Sequence, residues 1–186
     1  MTAGRLVAVV GPSGVGKDTV IAGLCAARPD LFRVRRAITR EAAAVGEDFE
    51  ALSRAEFAAA EAAGAYALSW RAHGLAYGIP AGVHGVLGAG QDAVANLSRG
   101  VLDRARSVFP GMAVLALTAG PAVLAARLAA RGRESAGDVA GRLARAGAYE
   151  VAGDDVIRVS NDGPVEATVA RVLAALYPDS AWRLSS

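Results

Sequence analysis

Of the 20 basic side chains in this 186-residue chain, only one is a lysine, and it closes the run Gly11-Pro12-Ser13-Gly14-Val15-Gly16-Lys17. Every other basic position is arginine. A planar guanidinium cannot replace a compact ammonium on a slim stem inside a nest of backbone N–H groups, so a lysine kept at this one place points to a phosphate-binding loop. In such a loop the glycines let backbone amides turn inward around a β-phosphate, the dipole of the following helix adds to them, and the lysine bridges the β and γ oxygens. The ligand implied is a nucleoside triphosphate, taken as ATP, together with Mg²⁺. The residue after the lysine, where Ser or Thr ordinarily meets Mg²⁺, is Asp18. A carboxylate is a good hard ligand, reaching the metal directly or through water, and Thr19 is the alternative if the turn is shifted. Gly11 through Thr19 is thus read as nucleotide-binding, with Lys17 catalytic and Asp18 the metal ligand.

Such a loop works only between a strand and a helix, and the flanking residues supply both. Leu6 to Val10 is a short β-branched run, a buried parallel strand. Asp18 to Arg28 places Val20, Ile21, Leu24 and Cys25 at helical spacing before Pro29. Further along, the patterns predict a strand over Phe32–Thr39, a helix over Ser53–Glu61 capped by Ser53 with Glu56, and strands at Tyr66–Trp70 and Tyr77–Ile79 around a loop. A short helix is expected over Pro80–Gly88, a strand over Ala93–Leu97, and a helix to Val108 that Ser98 can cap. Ala113–Thr118 and Asp155–Ser160 read as strands, Ala122–Ala130 and Pro164–Leu176 as helices, and Arg131–Arg145 as an arginine-bearing helical stretch. Strands alternating with helices mean an α/β fold with a mainly parallel sheet covered on both faces.

Composition sets the outer bounds. Hydrophobic residues at 53% and charged residues at 20% describe a globular chain of one domain's length, with a core of Ala, Val and Leu because aromatics reach only 5%. No apolar run is long enough for a signal segment or a membrane span, so a cytoplasmic location is expected. Cys25, the single cysteine, excludes an internal disulfide and a cysteine metal cluster, and its apolar neighbours make it a structural thiol. A net charge of +2 gives no argument for nucleic acid. A homodimer is left open.

Gly11 to Lys17, Arg36-Ala37-Ile38-Thr39-Arg40 followed by Gly46-Glu47-Asp48, Tyr77-Gly78, and Arg131-Gly132-Arg133 with Arg142 resemble, in this order, the guanylate-kinase type of P-loop kinase. The segments Gly16-Lys17-Asp18, Gly46-Glu47-Asp48, Ser69 through Pro80, Asn96-Leu97-Ser98-Arg99 and Arg131-Gly132-Arg133-Glu134 more closely resemble ribose 1,5-bisphosphate phosphokinases. The resemblance covers most of residues 5–162. It implies a P-loop NTPase fold in one kinase domain: a core over about 5–35 and 90–178, an acceptor-binding insertion over about 36–89, and an Arg-rich lid over about 131–149. It implies ATP-dependent conversion of ribose 1,5-bisphosphate into 5-phosphoribosyl diphosphate in bacterial phosphonate breakdown. Arg131, Arg133 and Arg142 are then expected to act beside Lys17 in catalysis.

Guanylate kinases read guanine with an acidic residue before Tyr-Gly and a tyrosine after Gly-Glu. Anchored on Tyr77-Gly78, those positions fall at about Leu68 and Phe49. A pocket that selects a base by hydrogen bonding fails without its polar partners. What remains is equipment for phosphates: Arg36, Arg40 and Tyr77. A phosphate acceptor has a second pKa near ~6 and needs no catalytic base, which suits a chain with many arginines and no evident acid–base pair. The other candidates keep two readings. Asn96, Ser98 and Arg99 contact the acceptor or metal waters, or simply cap a helix. Glu47 and Asp48 orient Arg40 or bind ribose hydroxyls, or lie in a solvated loop. His73 is an acceptor ligand or a packed imidazole, and His84 is incidental. Asn161, with Asp162 and Gly163, is an adenine contact or a turn. The rival functions are a nucleoside monophosphate kinase and a non-catalytic interaction module. Leu68 opposes the first and Lys17 the second.

Overall fold

The computed structural model describes residues 3–40, 48–130 and 150–178. The expectations for Glu47, Arg131, Arg133, Arg142 and the lid lie outside them. Among the described residues the strands form two sheets. The larger contains β1 (Leu6–Val10), β2 (Phe32–Arg33), β7 (Ala93–Asn96), β8 (Ala113–Thr118) and β9 (Val156–Ser160), in the order β2-β7-β1-β8-β9 and parallel throughout. The smaller contains β3 (Arg36–Ile38), β4 (Phe49–Ala51), β5 (Tyr66–Ala72) and β6 (Leu75–Pro80), in the order β4-β3-β6-β5. The helices are α1 (Lys17–Ala27), α2 (Arg54–Ala62), α3 (Val83–Gly88), α4 (Leu102–Val108), α5 (Pro121–Ala130) and α6 (Val165–Leu176), with a 3-10 turn at Arg99–Val101.

The period of two in β1 divides the core. Leu6, Ala8 and Val10 face a cluster that runs on into Ile38, Tyr77 and Ile79 of the smaller sheet. Val7 and Val9 face the opposite cluster, with Val20 and Leu24 of α1 and Val172 and Leu173 of α6. The central strand therefore fastens both layers at once. Among the described residues no helix is long and apolar enough to cross a membrane.

Three local expectations need correction. The single strand over Phe32–Thr39 is two: Phe32 and Arg33 pair with β7, Val34 donates to the Val94 carbonyl at 2.9 Å, and the chain then leaves to pair Ala37 and Ile38 with β6. The loop expected between Tyr66–Trp70 and Tyr77–Ile79 is a two-residue turn, because β5 and β6 stay paired to Ala72 and Leu75. His73 and Gly74 make that turn with φ of 52° and 75°, the doubly positive geometry that suits the twist of a hairpin. Ser98 does not cap the helix that follows; its Oγ accepts the Trp70 indole Nε1–H at 2.8 Å. The Ser53 cap forms as expected: Glu56 N–H donates to Ser53 Oγ at 3.2 Å, and Ser53 N–H donates to Glu56 Oε2 at 2.7 Å.

Where the strands begin, Tyr177 ties the end of α6 to the body of the sheet. Its hydroxyl donates to Asp92 Oδ2 at 2.7 Å, Asp92 Oδ1 accepts the Arg5 amide at 2.8 Å, and the Arg28 guanidinium lies 3.6 Å from the ring centre. Burial first, then the Asp92 carboxylate, pushes the Tyr177 phenol up from 10.0 to about 12. Because the folded-state pKa is raised, the contribution of this contact to stability is full below about pH 10 and lost as pH rises through about 12. We expect an ultraviolet titration of phenolate to show one tyrosine ionising near 12 and that step to vanish in Tyr177→Phe; an unchanged titration would contradict the assignment.

Candidate active site

The backbone between β1 and α1 is shaped by what surrounds it. At Gly11, with φ of 155°, a Cβ would lie 2.6 Å from the Leu117 carbonyl oxygen, so the loop can leave β1 against β8 only as glycine. Gly16 has φ of 93°, and a Cβ there would meet Asn161 Nδ2 at 2.8 Å. Val15 is fully buried and joins the core beneath α1. Its carbonyl turns inward and accepts Asn161 Nδ2–H at 2.8 Å and Arg127 Nη1–H at 3.3 Å. Asn161 is itself buried, and its Oδ1 accepts the Thr168 hydroxyl at 2.8 Å. The Val15 carbonyl is thus held on the protein side of the loop, while the Val15 amide donates to the Pro12 carbonyl at 3.3 Å.

Lys17 opens α1 and folds back over the loop, donating Nζ–H to the Gly11 carbonyl at 2.9 Å and the Pro12 carbonyl at 3.2 Å. Asp18 lies in the first turn, where Asn96 Nδ2 donates to its Oδ1 at 3.0 Å. That contact follows from register, since Asn96 ends β7 opposite Val9 of β1. A cleft of about 640 Å³ opens at the carboxyl ends of β1 and β7, where open parallel sheets bind ligands. One wall is Gly11, Pro12, Ser13, Gly14, Gly16, Lys17 and Asp18. The facing wall comes from the smaller sheet with Arg36, Arg40, His73 and Tyr77, and from Asn96, Ser98 and Arg99. Arg36 is buried with its guanidinium 5.4 Å from the centre of the Tyr77 ring, and Arg40 stands 5.8 Å from the centre of Phe49.

The nucleotide fits these residues: a glycine-shaped turn, a lysine and a helix N-terminus converge. Among the described residues no cluster of three or more His, Cys, Asp or Glu side chains could cage a metal. One carboxylate, Asp18, is what a Mg²⁺ shared with substrate phosphates calls for.

Some sequence candidates lie elsewhere. Asp48 is exposed and pairs with Arg35 at 2.9 Å, outside the cleft. Thr19 is exposed on α1 and does not line the cleft. Asn161 lies behind the loop with both ends of its amide engaged by protein, neither a turn tip nor open to the nucleotide side. Leu68, at the expected base-reading position, is buried in the core with Trp70 and Phe49. Cys25 is packed against the core, and burial raises its thiol pKa. Sequence reading did not find Arg127 and Thr168 as supports of the loop: neither has a motif, Arg127 reaches a carbonyl 112 positions away, and Thr168 acts only through Asn161.

Residues 6–151 match the sequence family described as AAA domain. A ribose 1,5-bisphosphate phosphokinase PhnN of Ruegeria sp. (strain TM1040) is 46% identical over 179 residues, covering 96% of this chain and 94% of its own. A second, of Pseudomonas fluorescens (strain SBW25), is 45% identical over 184 residues, covering 94% and 95%. The chain belongs to the ribose 1,5-bisphosphate phosphokinase family. Among solved structures, a guanylate kinase from Anaplasma phagocytophilum superposes with a TM-score of 0.67 at 18% identity, covering 97% of this chain and 88% of its own. A gluconokinase from Sinorhizobium meliloti gives 0.53 at 19% identity, covering 97% and 99%. These two likenesses establish the fold, a P-loop kinase. As a member of the phosphokinase family the chain is a phosphotransferase.

Asn161→Ala leaves a buried carbonyl and a buried hydroxyl each short of a partner. Denaturant unfolding is expected to show a loss of about 1–3 kcal/mol, and titration with a fluorescent nucleotide about 10-fold weaker binding. Wild-type values for both would remove Asn161 as the support of the loop.

Proposed function

We propose that this protein transfers the γ-phosphoryl group of ATP, with Mg²⁺, to the 1-phosphate of ribose 1,5-bisphosphate, yielding 5-phosphoribosyl diphosphate and ADP. The observation that carries this reading is the cleft itself: Lys17 and Asp18 on one wall face Arg36, Arg40 and Tyr77 on the other, while the base-reading position is the core residue Leu68. An acceptor with phosphates and no base suits such walls. The names of the relatives point to the same substrate.

In the proposed reaction an oxygen of the acceptor phosphate bonds to the γ-phosphorus as the bond to the β,γ-bridging oxygen breaks. That oxygen is already largely deprotonated near neutral pH, so no proton needs to be removed. The chain's task is alignment and charge neutralisation. Lys17 gives up its loop carbonyls to meet the β and γ oxygens. Arg36 and Arg40 hold the acceptor phosphate, with the Tyr77 hydroxyl as a further donor. Asp18, steadied by Asn96, would hold Mg²⁺, whose chemistry is to neutralise charge on the phosphates. Arg131, Arg133 and Arg142 are the arginines offered for charge on the transferring group, and Glu47 belongs to the acceptor side. In this proposal the whole chain is one kinase unit working in the cytoplasm on phosphonate-derived sugar phosphate.

Phosphorus NMR of the protein with ATP and Mg²⁺ should show diphosphate signals growing from ribose 1,5-bisphosphate and not from GMP. Diphosphate formed from GMP alone would sink the reading. Lys17→Ala is expected to lose about 100-fold or more in kcat; a fully active variant would refute the phosphate-loop assignment.

A further inference from the structure

At the end of β7 two side chains reach to opposite sides of the cleft. Asn96 Nδ2 donates to Asp18 Oδ1 at 3.0 Å, on the wall that carries the glycine-rich loop. Two residues later the Ser98 hydroxyl accepts the Trp70 indole Nε1–H at 2.8 Å, on the smaller sheet. The Ser98 oxygen makes no capping bond to the 3-10 turn that follows it. Trp70 is buried, and a buried indole N–H needs an acceptor. Here the acceptor comes from the segment that leaves the other sheet.

Trp70 begins a row that ends at an arginine of the cleft. In the β5–β6 hairpin it pairs with Tyr77, and the two rings are stacked with centroids 5.2 Å apart and planes 10° from parallel. Tyr77 pairs in turn with Ile38 of β3. Arg36, two residues before Ile38, shares its face of the strand and sets its guanidinium 5.4 Å from the centre of the Tyr77 ring. Ser98, Tyr77 and Arg36 line the cleft, whereas Trp70 stands behind them on a neighbouring cavity of about 490 Å³. Trp70 therefore bears on the cleft through Tyr77 and Ser98.

We propose that Ser98 is a positioning residue for the acceptor: its hydroxyl fixes Trp70, Trp70 fixes the ring of Tyr77, and Tyr77 with Arg36 is thereby held in place opposite the Lys17 loop. The inference rests on the functional reading above. Phosphoryl transfer tolerates little error in where the attacking oxygen stands, so a bond that ties the acceptor-gripping sheet to the strand beside the loop acts on alignment. With Asn96 bonded to one wall and Ser98 to the other, the short segment from 96 to 98 spans the two.

Ser98→Ala takes away the indole's acceptor and removes no more than one oxygen. In assays with ATP, Mg²⁺ and ribose 1,5-bisphosphate, run well below the unfolding transition, it is expected to raise KM for the bisphosphate about 5-fold and to leave KM for ATP within about 2-fold of wild type. Ser98→Thr keeps the hydroxyl and should recover most of the loss. Trp70→Phe keeps a ring on Tyr77 without the N–H and should show the same split, and adding Ser98→Ala to it is expected to bring no further loss. In a Trp182→Phe background, where Trp70 is the one tryptophan left, Ser98→Ala should shift the indole emission. Losses that add in the double variant overturn the inference and make Ser98 a direct ligand of the acceptor. Equal rises in both KM values, wild-type kinetics in Ser98→Ala, or an unshifted emission overturn it too, while leaving the kinase reading intact. A wild-type protein that does not phosphorylate the bisphosphate overturns the kinase reading and this inference with it.

Discussion

A backbone that presents several amides to one anion must dispose of its carbonyls elsewhere, and the rest of this structure depends on how that is done. The Val15 carbonyl points into the protein, where two side chains from the second half of the chain meet it. One of them, Asn161, is 146 positions away in sequence. The loop is thus the place where the first strand, the end of α5 and the start of α6 are held together. The packing of α6 on α1 supports the same point, since Val169 and Val172 share a core with Val15 and Val20. Loop conformation and the packing of the large sheet are one property, not two.

The smaller sheet stands in a similar relation to the opposite wall of the cleft. Its strands are short, and they gain rigidity from the cluster that continues from β1 through Val10 into Ile38 and Ile79. Arg36, a buried cation, is tolerable there because its guanidinium lies over Tyr77 beside an open cleft. Phe49 carries Arg40 in a related way from the adjoining strand. Both arginines of this wall thus lie over aromatic rings, Arg36 over Tyr77 and Arg40 over Phe49.

The readable parts of the sequence were those whose signal is local. Leu6–Val10, the glycine spacing before Lys17 and the Ser53 capping box each declare themselves within ten residues, and the structure contains all three. Asn96 was legible as a strand end, and register alone then brought it to Asp18. The unreadable parts depend on long-range geometry. Nothing near Val34 indicates that the chain changes sheets there. A three-residue strand such as Phe49–Ala51 is too short to show a period. A serine ahead of a helical turn looks like a cap whether it binds an amide or, as Ser98 does, an indole. Asn161 was ambiguous for the same reason, because the carbonyl that its Nδ2 meets belongs to Val15, at the other end of the chain.

The single lysine has a consequence for the chemistry that can be done to this protein. Its only side-chain amine is the one folded into the nucleotide loop, held by two carbonyls. Acylating or alkylating reagents, and enzymes that acetylate or conjugate lysine, have no surface amine on a side chain to take instead. A covalent mark on a lysine of this chain can therefore fall only on the glycine-rich loop, at the amine that the Gly11 and Pro12 carbonyls hold.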